Sequence, residues 1–170
     1  MKTVIINGSP RKGNTLAAIN ALGLDAEIIN ADQVNVSPCK GCGACGCEKG
    51  CVQNDDSNQV IDKLVEAEMI VFATPVYWWG VTAQLKTIID KCYCRGAHLK
   101  GKKVGIIVVG GDSVESEQYD LIKRQFELIG EYLQWDILFY SKHSASAIGD
   151  LEKNEESIKE LKRLKIERAV

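Results

Sequence analysis

Five short apolar runs punctuate the chain: Lys2–Asn7 (KTVIIN), Ala26–Asn30 (AEIIN), Met69–Ala73 (MIVFA), Lys103–Val109 (KVGIIVV) and Trp135–Tyr140 (WDILFY). Each has the length of a β-strand. Most are rich in Val and Ile and lack strict alternation, the pattern of strands buried on both faces. The segments between them have helical spacing. Asp56 and Ser57 are placed to cap a helix with Val60, Ile61, Leu64 and Val65 on one face. Val81, Leu85, Ile88, Ile89 and Cys92 form a second stripe, and Ile122, Phe126, Ile129 and Leu133 a third. A short first helix, Thr15–Leu22, stops near Gly23. The charged segment Leu151–Arg168, with Ile158, Leu161 and Leu164, predicts the last helix.

Strand and helix alternating five times imply a parallel sheet covered on both faces, the doubly wound α/β class, with strand order 2-1-3-4-5. At 170 residues the chain is expected to form one domain over residues 1–170. One connection breaks the rhythm. Ala31–Asp55 carries no periodic pattern, where a loop of about 2–6 residues is usual.

Charge and length narrow the function classes. The 21 Lys and Arg nearly balance 23 Asp and Glu, so no broad attraction to nucleic acid or acidic membranes is implied. The N-terminus MKTVIINGSPRKGN does not read as a signal peptide, since its apolar run gives way to Gly-Ser-Pro. No stretch approaches the roughly 20 apolar residues that span a bilayer. The expectation is a cytoplasmic protein, where thiols stay reduced. Seven cysteines, an odd number, then favour metal binding or catalysis over a disulfide framework.

Ligands of such sheets bind outside the carboxyl ends of the strands, so the loops leaving strands 1, 3 and 4 form one surface. After strand 1 comes Gly8-Ser-Pro-Arg-Lys-Gly-Asn-Thr15, a near miss to the P-loop with Asn14 in place of its lysine. That lysine reaches β- and γ-phosphates, and its loss argues against a nucleoside triphosphatase. A glycine-containing turn into a helix, with Ser9, Asn14 and Thr15 as donors and Arg11 adding charge, suits a single terminal phosphate. After strand 3 comes Thr74-Pro-Val-Tyr-Trp-Trp-Gly80, whose consecutive aromatics cannot all pack inward and offer a face to a flat ligand or another subunit. After strand 4, Gly110-Gly111-Asp112 permits close approach of backbone to a ring. Together they suggest a phosphorylated, planar, aromatic cofactor, and flavin mononucleotide (FMN) meets all three requirements.

GSPRKGNT opening the first helix, then P-C-x-G-C-x-x-C with a later G-C and paired Asp, then TPVYWWG, resembles the flavodoxin-like NAD(P)H-dependent FMN reductases, and among them the iron–sulfur flavoproteins. The resemblance is specific from Met1 to about Ser113 and architectural beyond. It implies that Ser9, Arg11, Asn14 and Thr15 hold the FMN phosphate. It also implies that Pro75, Val76, Tyr77, Trp78 and Gly80 line the isoalloxazine, with Gly110, Gly111 and Asp112 on the ring's other side. Flavin accepts a hydride and releases electrons singly or in pairs, so the protein has only to hold the ring and leave one face open. No catalytic side chain is assigned. His98 and His143 stand near Lys100 and Lys142 rather than near any nucleophile and read as surface or satisfied histidines.

PCKGCGACGCEKGC, residues 38–51, holds five of the seven cysteines. Cys39, Cys42, Cys45 and Cys51 follow C-x2-C-x2-C-x5-C, with Cys47 extra, and interspersed glycines could let the sulfurs turn inward around a [4Fe–4S] cluster. Many FMN reductases of the family carry such a loop and hold no cluster, so structural or reactive free thiols stand beside that reading. Four-cysteine zinc and dithiol chemistry are further alternatives. Cys92 lies on an apolar stripe and reads as core. The GCGACG within the loop matches G-x-G-x-x-G but has neither the preceding strand nor the following helix of a dinucleotide site.

The expected function is an FMN-dependent oxidoreductase. NAD(P)H is the co-substrate, a small molecule or protein the acceptor, and a homodimer or homotetramer the assembly. A relay of single electrons from ferredoxin through a cluster to FMN is the alternative. A non-enzymatic metal- or phosphate-binding module is a rival from another class.

Overall fold

The computed structural model describes residues 1–166. The apolar runs become five strands: β1 Thr3–Asn7, β2 Glu27–Asn30, β3 Met69–Pro75, β4 Lys103–Gly110 and β5 Asp136–Ser144. All pair in parallel in the order β2-β1-β3-β4-β5, the arrangement expected of a flavodoxin-like sheet. The helices are α1 Asn14–Leu22, α2 Ser57–Glu66, α3 Ala83–Lys91, α4 Glu117–Leu133, α5 Asp150–Lys153 and α6 Glu155–Ile166, with a 3₁₀ segment at Cys92–Leu99.

Two apolar layers account for the unbroken runs. Val4, Ile6, Ile70, Phe72, Val104 and Ile106 point to one face, under α2, α3 and α4. Ile5, Met69, Val71, Ala73, Ile107 and Val109 point to the other, under α1, α5 and α6. Every residue of β1 and β3 is buried, so neither face could be polar. On the first face Phe72 packs tilted against Phe126 and stacks with Trp135, at centroid distances of 5.3 and 5.8 Å, and the Trp135 indole donates to Leu99 O at 2.8 Å.

Two local expectations change, while the histidines fall as expected. The charged C-terminal stretch is two helices rather than one, broken at Asn154, and its end beyond residue 166 lies outside the described residues. Asn154 Oδ1 accepts from Ser157 N at 3.0 Å, and Glu155 and Glu156 fill the first turn of α6. A local cap and charges that suit the helix dipole restart the helix there. At α2, neither Asp56 nor Ser57 caps through its side chain. Asp56 instead accepts from Asn35 N, and Ser57 Oγ is buried without a partner. Asp55 takes the capping role, accepting from Ser57 N at 2.9 Å and Ser37 N at 3.0 Å, because the long loop folds back over the helix start. His143 is buried and bonded to Ser141, whose hydroxyl donates to Glu160; His98 is exposed.

Candidate functional site

The chain leaves β1 at Gly8, whose N–H donates to Ala73 O at 2.7 Å and whose carbonyl accepts from Thr82 Oγ1 at 2.7 Å. A Cβ there would lie 2.9 Å from Leu85 Cβ and 3.1 Å from Ala73 O, so only glycine lets the β1 and β3 exits approach. The following turn is fixed internally. Asn7 Oδ1 accepts from Ser9 N, while Ser9 Oγ donates to Arg11 O at 3.0 Å and accepts from Arg11 N at 3.2 Å. Helix α1 then begins with no side-chain cap and no acidic residue in its first turn. Its orphan N–H groups and positive dipole end are left for an anion, with Arg11 beside them.

After β3, Tyr77 N donates to Gly80 O at 2.9 Å and Gly80 N returns to Tyr77 O at 3.1 Å. Trp78 and Trp79 between them take φ of 50° and 60°. This is the two-residue turn that favours Asn-Gly, here built from two tryptophans in edge-to-face contact at 5.5 Å. Trp78 is 91% and Trp79 55% exposed. After β4, Gly110 meets α4: a Cβ would lie 2.6 Å from Tyr119 Oη and 3.1 Å from Gln118 Nε2. The Tyr119 hydroxyl lies 3.1 Å from both Asp112 O and His143 O and ties the β4 and β5 exits together. Gln118 Nε2 is buried behind Gly110 with no partner.

A cleft of about 100 Å³ joins these exits, lined by Ser9, Arg11, Asn14, Pro75, Val76, Tyr77, Gly110 and Gly111 from the sequence-predicted set. Thr15 is buried in α1; Trp78, Gly80 and Asp112 lie outside the lining. Sequence reasoning missed Gly13, Val109, Ala145, Ser146 and Ile148 of the lining, and Tyr119 and Gln118 behind it. Enclosed ligand pockets begin near 300 Å³, so this cleft has room for only one end of a ligand of that size, and it opens beside the aromatic turn. A larger apolar groove of about 410 Å³ lies elsewhere, between α3, the 3₁₀ segment and α4. It lacks the convergent donors of the cleft.

The cysteine loop docks on the 3₁₀ segment: Gly50 N donates to Cys94 O at 3.0 Å and Ala97 N to Cys47 O at 3.1 Å. Cys47, with φ of 65°, wedges against Gly96, where a Cβ would lie 2.6 Å from its sulfur. Asn58 bonds both the N–H and the carbonyl of Cys51. Lys91, 2% exposed, reaches Cys51 Sγ at 3.2 Å and Gln53 Oε1 at 2.9 Å. Burial pushes the Cys51 thiol up, but the Gln53 backbone and the Lys91 ammonium outweigh it and leave it below its ordinary range. Burial raises Cys92 to about 12 and Cys94 to about 11. Cys92 sits in the core, as its stripe predicts. Cys45 and Cys51 pack against the core, whereas Cys39 and Cys42 are exposed, and none of the seven is in a disulfide. Four thiols suit a cluster chemically. Among the described residues, however, no three Cys, His, Asp or Glu side chains are grouped to hold a metal ion.

In sequence, residues 1–125 match the model of the family described as NADPH-dependent FMN reductase. An iron-sulfur flavoprotein of Archaeoglobus fulgidus is 39% identical over 119 residues, covering 64% of this chain and 54% of that protein. The match thus spans about half the length of that relative. A Bacillus subtilis protein carrying the name NAD(P)H-dependent FMN-containing oxidoreductase is 27% identical over 96% of both chains. Among solved structures, the Trp repressor binding protein from Bacillus subtilis has a TM-score of 0.75 at 24% identity, covering 96% of this chain and 97% of that one, a likeness of fold.

Two outcomes test this geometry. Although burial opposes it, hydrogen bonding by Ser57 and Ser37 holds the Asp55 carboxyl down to about 2 from an ordinary 3.8. Its folded value lies below the unfolded one, so its stabilisation is complete above the unfolded value and lost as pH falls through about 2. Asp55→Asn is expected to cost about 1 kcal/mol at neutral pH after allowance for solvent screening. In urea titrations the gap to the unaltered protein should close as the pH is lowered from about 4 to 2. Separately, Gly110→Ala is expected to lower stability by about 1–3 kcal/mol through its clash with the Tyr119 hydroxyl. Tyr119→Phe removes the clashing oxygen, so the double variant should lose less than the sum of the single losses in chemical denaturation.

Proposed function

The chain belongs to the NADPH-dependent FMN reductase family, and from that premise we propose an FMN-dependent oxidoreductase that takes electrons from NAD(P)H and hands them to a small-molecule or protein acceptor. One observation carries the reading. An uncapped helix N-terminus beside Arg11, a close-approach glycine and an outward aromatic turn meet at a single cleft. These features fit FMN. The first-turn N–H groups of α1 and Arg11 take the phosphate. Pro75, Val76, Tyr77 and Gly80 side the ring, with Trp78 at its open edge, and Gly110, Gly111 and Asp112 back it. Ser9 acts by shaping the turn, since its hydroxyl is spent on Arg11, and buried Thr15 acts through its backbone.

When bound, FMN supplies hydride acceptance and release of electrons singly or in pairs. The lining of the cleft contains no carboxylate and no histidine. The chain's own part is to place the ring and keep one face open. Seven cysteines outside any disulfide fit a reducing, cytoplasmic setting. No helix among the described residues is long and apolar enough to cross a membrane.

The iron–sulfur relay is the second reading, favoured by the relative's name and the cysteine spacing. Among the described residues these thiols do not converge. Iron and acid-labile sulfide measured on anaerobically purified protein test its premise: about four of each per chain would establish the [4Fe–4S] cluster that the relay requires, and none would remove the relay.

We assign the second copy of a homodimer to the face that carries the larger groove. Leu121, Gln125, Leu128 and Tyr132 follow 4-3-4 spacing along α4, and the last three line the groove with exposed Tyr93. Such a seam suits a helix packing across a two-fold axis, and the flanking Lys86–Asp90 and Arg124–Glu131 pairs offer both signs of charge to a copy.

Purified protein is expected to be yellow with about one FMN per chain, and NADH or NADPH should bleach the flavin band without oxygen. Flavin that stays oxidised with both donors would overturn the reductase reading. Leu128→Asp with Tyr132→Asp should shift the mass in light scattering from dimer to monomer. An unchanged mass would place the interface elsewhere.

A further inference from the structure

Asn14 occupies the position at which the phosphate-binding reading wants a free donor, yet its amide has none to give. Its Nδ2 donates to Ala145 O at 3.2 Å and to Ala147 O at 2.8 Å. Its Oδ1 accepts from Gly149 N at 3.0 Å and Leu151 N at 3.4 Å. A primary amide has two N–H donors and two acceptor lone pairs, and all four are used on residues 145–151. The pattern also fixes the amide's orientation, since carbonyls face the nitrogen and N–H groups face the oxygen.

Residues 145–151 form a strap from the end of β5 to α5. At one end Ala145 N donates to Gly110 O at 2.7 Å; at the other Leu151 is fully buried. Between them the strap crosses the cleft. Ser146 Oγ lies 3.6 Å from where a Gly111 Cβ would be, and Ile148 Cγ1 3.8 Å from where a Gly13 Cβ would be. Ser146, Ala147 and Ile148 are exposed, and the strap's remaining internal bonds join Ala147 to Asp150.

We infer that Asn14 is a positioning residue: it does not touch the phosphate but staples the strap 145–151 over the cleft, making Ser146 and Ile148 the fourth wall of the cofactor site. The inference rests on the FMN reading for its ligand, though not for its geometry. The strap spans from the phosphate turn at Gly13 to the ring side at Gly111, so loosening it weakens the hold on the whole cofactor. A direct phosphate ligand would affect only the phosphate.

FMN and riboflavin differ by that phosphate, and their dissociation constants, titrated by fluorescence against apoprotein, separate the cases. In Asn14→Ala both constants are expected to rise about tenfold, with their ratio within about twofold of the unaltered protein. Asp150→Ala loosens the strap from outside the cleft and should move both in the same direction. Hydrogen exchange on the apoprotein should show the amides of 145–151 exchanging about tenfold faster in Asn14→Ala, with β1 and β3 unchanged. Lost FMN affinity with intact riboflavin affinity would overturn the inference, as would unchanged exchange in the strap. Should the unaltered protein bind neither flavin, the functional reading falls while exchange still decides the staple. If Asn14→Ala does not fold, Asp150→Ala carries both comparisons.

Discussion

At Gly8 the chain leaves β1 into a space with no room for a side chain, and the rest of the ligand edge is arranged around that contact. Helix α1 goes to one face of the sheet and α3 to the other, so the connections diverge between β1 and β3 and open a crevice at their carboxyl ends. Two backbone groups of Gly8 bridge it, one to Ala73 and one to Thr82. Thr82 in turn caps α3 by accepting from Leu85 N at 3.2 Å and donates its own N–H to Thr74 Oγ1 at 3.3 Å. The phosphate-type turn and the aromatic turn are thus fixed to each other through one threonine. A shift of either would move the other, which is how two loops far apart in sequence keep a fixed spacing.

The cysteine loop is anchored by a different kind of force. Its hold comes from backbone pairing to the 3₁₀ segment, from Asn58 and Asp55, and from Lys91 buried against Cys51. A buried ammonium is tolerable only with partners, and a sulfur and an amide oxygen serve here. Because these contacts fix Cys51 and Cys47 while Cys39 and Cys42 lie exposed, the loop has a firmly placed C-terminal half and a solvent-facing N-terminal half.

Strands, sheet order and helix stripes were legible in the sequence because burial on both faces leaves unbroken apolar runs and burial on one face leaves a helical period: Ile70 and Phe72 face one layer, Met69 and Val71 the other. The loops Gly8–Thr15, Thr74–Gly80 and Gly110–Asp112 were legible as a surface because topology alone brings strand exits together. What a polar side chain does there was not. Asn14 reads as a donor by its neighbours, but its partners lie more than 130 positions away, at 145–151. No local pattern encodes that pairing. Tyr119 is similar: its place on the α4 stripe says buried, while its bonds to Asp112 and His143 depend on where Gly110 leaves room. The break at Asn154 did have a local signal, since Asn followed by Glu-Glu-Ser is a helix start, and the charged run on both sides concealed it.

The Trp78–Trp79 turn shows where local preference gives way. A left-handed conformation costs a side-chain-bearing residue about 1–2 kcal/mol, and the turn contains two of them. The crossed Tyr77–Gly80 hydrogen bonds and the edge-to-face ring pair return about as much again, so the turn itself gains little from having tryptophan where Asn-Gly would close it without strain. What tryptophan adds is a broad aromatic surface held outward, with Trp78 almost fully exposed, at the rim of a cleft too small to enclose a ring. Turned inward, the same indoles would leave that rim bare. The strain therefore belongs to an exposed turn at the rim of the cleft and not to the fold, which is already secured by the two apolar layers beneath it.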